Sequence, residues 1–515
     1  MGESEMTGGG EPPKKEDRVT PLLDKKEKKI KLLEMYRFDA DGLPVEIKII
    51  DKEDFVLLYE AQVPGLSEGT RIMLNTIKGE LITNVKLSVT EMLDQRQMVM
   101  VKRKFKERAL MLVEKHLPTV SKEAKDVLIS YLLHNTLGLG ELEAPMHDDN
   151  LEELVINGSR EPLWVFHKKW GWCKTNIRMK NEEAIYDASA MIGRRIGKQI
   201  NILSPLMDAH LVTGDRVNAT LFPISTCGNT ITIRKFARNP WSIISLIKCK
   251  TINAEVAGLI WLAIQNELSL VIAGGTGSGK TSFLNAISCF FPPNHRVISI
   301  EDTRELTLPS FLQWVPMTTR EANPEGKGEI TMLDLLVNSL RQRPDRIVVG
   351  EIRRQREAEI LFEAMHTGHA VYATLHADNA HETISRLTNP PINLPVSMLE
   401  AIGAIVVQFR HRRMGIRRTF EFAEVLRKGS TNILYRWDIK TDEIKEINQM
   451  STLVDRLTLY AGMTLKEIKE DVEEKKKVLN WMIENNINNV DDVGRGIGRY
   501  YKNREEFLSL TGLKT

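Results

Sequence analysis

A glycine-rich stretch, VIAGGTGSGKT from Val271 to Thr281, carries the residue types and spacing of a phosphate-binding loop. Gly274, Gly279, Lys280 and Thr281 satisfy the pattern G-x-x-x-x-G-K-[ST] completely. Glycines let the backbone curl until its N–H groups point at phosphate oxygens, the lysine neutralises the β- and γ-phosphates, and the threonine hydroxyl ligates Mg²⁺. The pattern therefore predicts a site for a nucleoside triphosphate with Mg²⁺. The nucleotide-binding residues expected from it are Gly274, Gly275, Thr276, Gly277, Ser278, Gly279, Lys280, Thr281 and Ser282.

The residues on either side of this loop favour a strand before it and a helix after it. An apolar run covers 268–273, and a helix-compatible run covers 282–290. A helix that begins at the loop adds the positive end of its dipole to the attraction for an anion. Because the pattern and its context agree, a chance glycine-rich turn is a poor alternative.

Three further side chains that suit phosphate chemistry directly follow short apolar runs. Glu301 comes after VISI, Glu351 after RIVVG, and His376 after AVYATL. Hydrolysis of a triphosphate needs a group that orients or deprotonates water, and cations for the developing charge. A carboxylate beside the loop suits the water or the Mg²⁺ shell, and an imidazole suits a sensor of the γ-phosphate. We expect the three at one edge of a sheet, although a surface turn is the alternative for each glutamate.

A parallel sheet is the element that must position these residues, and the segment 242–426 has the pattern of one. Its strand candidates are apolar on both faces and alternate with helical segments, which indicates a sheet covered on both sides. In such sheets ligands gather at the carboxyl ends of the strands. The expected strands are 268–273, 297–301, 346–350, 370–376 and 404–409, and the expected helices are 281–290, 331–342 and 355–366.

The remaining sequence predicts additional modules around this α/β domain. Gly, Pro, Lys and Glu dominate the start of the chain, short β-like runs with one helix precede the sheet, and a helical pattern with a capping box at Thr464 and Glu467 follows it. The predicted organisation is a flexible arm (1–30), an N-terminal accessory module (31–120), a small α/β domain (121–236), a linker (237–241), a P-loop ATPase domain (242–450) and a helical C-terminal region (451–515).

Composition narrows the class of protein. The 515 residues suffice for two to four domains, and the net charge of +2 favours neither a nucleic-acid partner nor a membrane surface. The four cysteines are scattered without a C-x-x-C pair, so neither a disulfide framework nor a structural zinc site is expected. His366, His369 and His376 lack the spacing of metal ligands. Without a secretion signal or an apolar run of transmembrane length, we expect a cytoplasmic protein that reaches a membrane through partners.

Four motifs occur in order, namely GGTGSGKT (274–281), ISIEDTREL (298–306), LLVNSLRQRPDRIVVGEIR (335–353) and TGHAVYATLHADNA (367–380). They resemble the Walker A box, Asp box, Walker B region and His box of the type II/IV secretion system ATPase superfamily, which includes motors of secretion, type IV pili and the archaellum. Gly350 and Glu351 match the Gly-Glu ending of that family's Walker B strand. The resemblance extends back to RVNATL (216–221) and TIRKF (232–236).

The resemblance implies a RecA-like P-loop motor domain that binds ATP and Mg²⁺. It implies that Thr281 and Glu351 hold Mg²⁺, that Glu301 is the candidate general base and that His376 senses the γ-phosphate. Which of the two glutamates is the base stays open. It further implies a homo-hexameric ring on a polytopic membrane platform protein, at the inner face of the cell membrane, with no nucleic acid as partner.

Two arginines of the small α/β domain, Arg216 and Arg234, correspond to those that this family supplies to the nucleotide. Such an arginine stabilises transition-state charge and makes hydrolysis depend on how the domains close. An ordinary surface arginine is the alternative for each.

The chain differs from bacterial members of this family because no four-cysteine insertion follows the His box. That difference, the long N-terminal module and the helical tail resemble the archaeal branch. Within it, EIRRQREAEILFEAMHTGH favours a pilus or secretion motor over an archaellum motor.

Two rival functions remain at this point. The run RHRRMGIRR (410–418) is the best support for a nucleic-acid motor, although its position between two strand-like runs favours a solvated hairpin or a subunit contact. The other rival is a nucleotide-dependent scaffold without hydrolysis, against which Glu301, Glu351 and His376 argue.

Overall fold

Two units make up the chain, Met1–Lys235 and Phe236–Thr515, and each has its own sheet. The computed structural model describes residues 30–84, 95–211, 214–236, 240–322 and 326–513. Residues 1–29 of the expected flexible arm and residues 237–239 of the expected linker lie outside that part of the chain.

The first unit is built on a sheet whose described strands are β1 (Lys31–Ala40), β2 (Leu43–Asp51), β3 (Leu57–Gln62), β4 (Leu151–Asn157), β5 (Trp164–His167), β6 (Gly171–Thr175), β7 (Leu206–His210), β8 (Arg216–Thr220) and β9 (Thr230–Arg234). Their order across the sheet is β1-β2-β3-β6-β5-β4-β9-β8-β7. Neighbouring strands run antiparallel, except for the parallel pair β3 and β6. Strand β2 shows why the sheet forms: Val45, Ile47 and Ile49 are buried, and the charged residues between them face outward at a period of two.

The described helices of the first unit are α1 (Glu68–Asn84), α2 (Gln95–His116), α3 (Lys122–Thr136), α4 (Glu143–His147) and α5 (Glu182–Arg195). Ser121 caps the start of helix α3, and its hydroxyl accepts a hydrogen bond from the Ala124 N–H. Helices α1 to α3 share a core of their own that includes Leu74, Phe105 and Leu128.

The sequence predicts a module boundary between residues 120 and 121, but strands from both sides of that boundary share one sheet. Strand β3 pairs with β6, with Leu57 opposite Cys173 and Tyr59 opposite Thr175. The expected accessory module and the expected small domain are therefore parts of the same unit. Pairing between strands more than a hundred residues apart leaves no local pattern in the sequence.

The second unit contains a sheet of β10 (Ser269–Gly274), β11 (Arg296–Glu301), β12 (Gln313–Thr318), β13 (Arg346–Val349), β14 (Ala370–Leu375), β15 (Ile402–His411), β16 (Ile416–Val425), β17 (Thr431–Asp438) and β18 (Glu443–Glu446). The order is β12-β11-β13-β14-β10-β15-β16-β17-β18. The strands from β12 to β15 in that order are parallel, and β16 to β18 continue the sheet as antiparallel strands. The α/β fold class with a parallel P-loop sheet is thus confirmed.

Helices cover both faces of this sheet. They are α6 (Ile243–Lys248), α7 (Ala254–Gln265), α8 (Lys280–Ile287), α9 (Met332–Leu340), α10 (Gln355–His366), α11 (Ala380–Thr388), α12 (Thr452–Ala461), α13 (Leu465–Glu484), α14 (Val490–Lys502) and α15 (Arg504–Leu510). Side chains of β10 alternate between the two layers: Leu270 and Ile272 enter one core, and Val271 and Ala273 enter the other. The strand before the phosphate loop is therefore held from both sides.

The C-terminal helices belong to this second unit and share the core of α7. Ile468 and Val472 of α13 are buried there, and Gly258 of α7 lies so close that a Cβ on it would be 3.1 Å from the Val472 carbonyl oxygen. The capping box of Thr464 and Glu467 at the start of α13 is confirmed. No helix in the described ranges is both long and apolar enough to span a bilayer.

Candidate nucleotide-binding site

The glycine-rich stretch joins the buried strand β10 to helix α8, which is the strand, loop and helix arrangement expected from the sequence. Strand β10 lies between β14 and β15 at the centre of the sheet. Gly279 caps the helix with a left-handed φ of 96°, so Lys280 and Thr281 occupy the first turn, where backbone N–H groups are free to bind an anion.

Gly274 occupies a position that excludes any side chain. A Cβ on this residue would lie 2.4 Å from both the Gln408 carbonyl oxygen and the Ser278 hydroxyl. The backbone at Gly274 also has a φ of 152°, a conformation that residues with a side chain rarely adopt. The loop therefore depends on glycine at this point.

Replacing Gly274 with alanine is expected to destabilise the protein by at least about 2 kcal/mol, because the methyl group collides with backbone that is fixed in the sheet. Denaturant unfolding of the full chain measures this loss. Gly462→Ala is the matched control, since Gly462 has a positive φ of 68° but open space around its Cβ position. Gly462→Ala should lower the free energy of unfolding by only about 1 kcal/mol, because alanine disfavours the left-handed backbone conformation. Equal losses in the two variants would contradict the steric explanation.

Lys280 and Ser278 give the loop its polar interior. The Lys280 ammonium donates to the Gly275 carbonyl oxygen at 3.1 Å, and burial lowers its pKa while Glu351, Glu305 and Asp378 oppose that shift. The Ser278 hydroxyl is buried and has no hydrogen-bond partner among the described residues. A buried lysine and an unpaired hydroxyl in a curled loop fit a phosphate group, which supplies acceptors for both.

Glu301 ends strand β11 and is only 2% exposed. Its Oε1 accepts hydrogen bonds from the N–H groups of Glu305 at 2.9 Å and Leu306 at 3.1 Å. Its Oε2 is buried without a partner in the described part of the chain. Burial raises the pKa of Glu301 to about 7, against the two backbone hydrogen bonds that lower it. A carboxylate with a pKa near neutrality and one unused oxygen is suited to accept a proton.

Hydrolysis of ATP by this protein is expected to rise with pH through about 7, if Glu301 is the base, because only its deprotonated form accepts a proton. Below the pKa of about 7 the rate should fall about tenfold for each unit of pH, and above it the rate should level off. A profile of kcat/KM against pH measures this, with Glu301→Gln as the control that should lack the step. A wild-type profile that is flat across neutrality would contradict the assignment.

Glu351 and His376 meet at the ends of β13 and β14. The His376 Nε2 lies 3.3 Å from the Glu351 Oε1, and burial lowers the pKa of His376, as does the nearby Lys280, while Glu351 opposes both. Gly350 packs against Glu301, since a Cβ on Gly350 would lie 3.5 Å from the Glu301 Cα. The structure thus brings the three side chains expected from the sequence to one edge of the sheet, beside Lys280.

Arg353 is a member of this cluster that the sequence did not single out. Its guanidinium binds the Glu351 Oε2, with Nε at 2.8 Å and Nη2 at 2.7 Å, and its Nη1 binds Asp302. One arginine therefore links the carboxylates that follow β11 and β13. The sequence shows that Arg353 is a charged residue close to Glu351. Its second partner, Asp302, becomes apparent only because β11 and β13 are neighbours in the sheet.

Arg216 and Arg234 lie in the first unit, directly opposite each other on β8 and β9. The Arg216 Nε and Nη2 donate to the Asp208 carboxylate at 3.0 and 2.5 Å, and the side chain is about half exposed. Because they are partners across β8 and β9, both arginines lie close together on that sheet. Their role toward a nucleotide stays a prediction.

The chain is similar in sequence to known proteins. Residues 200–414 match the type II/IV secretion system protein family. An uncharacterized protein of Methanocaldococcus jannaschii is 33% identical over 401 residues, which cover 76% of this chain and 72% of the relative. A putative conjugal transfer protein of Mycobacterium tuberculosis is 30% identical over 313 residues, 58% of this chain and 86% of the relative. Among solved structures, the ATPase DotB of Legionella pneumophila is 19% identical, with 68% of this chain and 92% of that chain covered and a TM-score of 0.41.

The fold and the loop between β10 and α8 define the class, a P-loop protein. The chain belongs to the type II/IV secretion system protein family.

Proposed function

We propose that this protein is a motor ATPase that hydrolyses ATP to drive secretion, or the assembly of type IV pilus-like filaments, at the cytoplasmic membrane. The observation that carries the proposal is the meeting of the phosphate loop with Glu301, Glu351 and His376 at the ends of adjacent strands. A loop alone would fit a binding protein or a kinase, whereas a carboxylate with a pKa of about 7 beside it supports hydrolysis.

The roles follow from the chemistry of each group. The loop N–H groups and Lys280 bind the phosphate oxygens, and Glu301 accepts the proton of the attacking water. Thr281 and Glu351 are the oxygen donors that would hold Mg²⁺, which neutralises charge on the phosphates. His376, which already contacts Glu351, would bind the γ-phosphate and report its loss. Arg216 and Arg234 would add positive charge in the transition state, a role supported by the family resemblance.

Work on a filament or an exported protein requires an assembly larger than one chain. We propose a homo-hexameric ring that sits at the inner face of the membrane on a polytopic platform protein. Membership in the type II/IV secretion system protein family supports this arrangement. An archaellum motor of the same superfamily is distinguished by its partner.

The test combines activity, assembly and partner. The purified full chain should hydrolyse ATP only with Mg²⁺, sediment as a hexamer with nucleotide, and co-purify with a polytopic membrane platform protein. Glu351→Gln should lose turnover. Turnover that survives Glu351→Gln unchanged would overturn the site assignment, and DNA-stimulated hydrolysis would favour a nucleic-acid motor instead. Binding to an archaellum platform alone would assign the motor to that filament.

A further inference from the structure

The arginine-rich run 410–418 forms the hairpin between β15 and β16, and this hairpin projects beside the phosphate loop. Strand β15 is the parallel neighbour of β10, with Gln408 opposite Gly274. The residues after Gln408 therefore continue past the end of β10, where the loop begins. Arg410 and Arg417 are directly opposite each other in this hairpin.

Both arginines contact the middle of the loop. The Arg417 Nε donates to the Gly277 carbonyl oxygen at 3.1 Å. The Arg410 Nη1 lies 2.9 Å from the position that a Cβ on Gly277 would take, and the Arg417 Cδ lies 3.5 Å from the corresponding position on Gly279. The two guanidinium groups thus lie on the phosphate loop of their own chain.

Within the described residues, no carboxylate forms an ion pair with either of these two arginines. The neighbouring Arg418, in contrast, binds Asp442 with both Nε and Nη2. Like charges at facing positions of an antiparallel pair destabilise it. Two partly buried guanidinium groups kept together on a phosphate-binding loop therefore point to an anion as their common partner.

We propose that Arg410 and Arg417 recognise the phosphate chain of the nucleotide from within the same subunit. Arg417 is a positioning residue: its hydrogen bond to the Gly277 carbonyl oxygen holds the Gly277–Ser278 peptide in the middle of the loop, and the Ser278 N–H of that peptide donates to the Gly275 carbonyl oxygen at 3.3 Å. Arg410 supplies positive charge next to the phosphates themselves. This inference rests on the proposed nucleotide site and adds to it a determinant of triphosphate affinity.

The hairpin provides its own controls. Arg412 and Arg413 lie at its exposed tip and carry the same charge. Binding of a fluorescent, slowly hydrolysed ATP analogue to the full chain is measured for the variants Arg410→Ala, Arg417→Ala, Arg412→Ala and Arg413→Ala. We expect the first two to weaken binding about tenfold or more, and the two tip variants to change it less than about twofold, since charge-assisted hydrogen bonds to phosphate exceed long-range screened attraction.

A second set of measurements separates recognition from a merely structural role. Arg410→Ala removes a like-charge contact, so without nucleotide its melting temperature should equal or exceed that of the wild type. Arg410→Lys should retain most of the affinity because it keeps the charge. Arg417→Lys should not, because lysine lacks the Nε donor that meets the Gly277 carbonyl. Affinity for the AMP analogue should change least, since AMP lacks the outer phosphates.

Each outcome decides the matter. Affinities of Arg410→Ala and Arg417→Ala that match the tip variants would overturn the inference while the proposed function stands. An equal loss of affinity in all four variants would also overturn the inference, because it would show that only the total positive charge of the hairpin matters. Loss of affinity only in parallel with loss of stability would assign a structural role. A wild-type chain that binds no nucleoside triphosphate would overturn the proposed function itself.

Discussion

Glu301→Gln is expected to lower kcat for ATP hydrolysis by about 10²–10⁴-fold, the usual contribution of a positioned general base. Glutamine has nearly the same shape and keeps a carbonyl oxygen for the N–H groups of Glu305 and Leu306, so the local structure should persist. What disappears is the carboxylate oxygen that is buried without a partner among the described residues. ATP affinity should change little, because the phosphates are bound by other groups.

The same variant has a second consequence for stability. The folded protein keeps Glu301 protonated up to about 7, whereas an ordinary glutamate loses its proton near 4.5. Between those values the unfolded chain binds fewer protons than the folded one, so the free energy of unfolding falls as pH rises and stays low above 7. Glu301→Gln escapes this loss and should be more stable than wild type at pH 8, by up to about 3 kcal/mol.

Steady-state kinetics, nucleotide titration and urea unfolding at two pH values measure these effects. Glu363→Gln, an exposed change on α10, is the control and should leave all three unchanged. Retention of more than about a tenth of the wild-type kcat in Glu301→Gln would show that it is not the base. Glu351 would then be the remaining carboxylate at this sheet edge.

Lys280→Ala is expected to reduce kcat by about 10³-fold or more and to weaken ATP binding by about 10–100-fold. Lys280 is the cation of the loop itself, and its ammonium lies among Glu351, Glu305 and Asp378. Without it, the triphosphate would enter a site with an excess of carboxylates. The loss should therefore be larger for ATP than for AMP, which carries less negative charge.

The rate of ATP hydrolysis and the affinities for ATP and AMP test this expectation. Lys440→Ala is the matched control, because Lys440 is an exposed lysine of the same unit. If Lys280→Ala hydrolysed ATP at a rate close to that of Lys440→Ala, the phosphate-loop assignment would be wrong.

Much of the site was predictable because its signals are local. The strands expected at 268–273, 297–301 and 370–376 correspond to β10, β11 and β14 within two residues. Each ends at a residue of the site or directly before one, so the order of strand and site residue along the chain was sufficient. Parallel strands deliver their carboxyl ends to one edge, which turns three separate positions into one site.

The features that the sequence did not show depend on neighbours far along the chain. The contact of Arg353 with Asp302 could not be predicted, because it depends on the pairing of β11 with β13. For the arginine-rich run the sequence favours a hairpin that is solvated or at a subunit contact, and the run does form a hairpin whose tip residues Arg412 and Arg413 are exposed. The pairing of β15 with β10, which leaves no local pattern, brings the base of this hairpin to the phosphate loop. Strand β12 was also missed, since its Pro316 and half-exposed pattern are typical of an edge.

The parallel pairing of β3 with β6 in the first unit has a consequence for shortened versions of this protein. Without residues 31–120, β6 would be the last strand of its sheet, with an open row of N–H and C=O groups and the partly exposed Trp172 beside it. Open strand edges of this kind recruit other chains and promote aggregation. The N-terminal strands therefore cover an edge that would otherwise pair with other chains. We expect versions of the protein without them to aggregate unless β6 carries a residue that blocks pairing, such as a lysine or a proline.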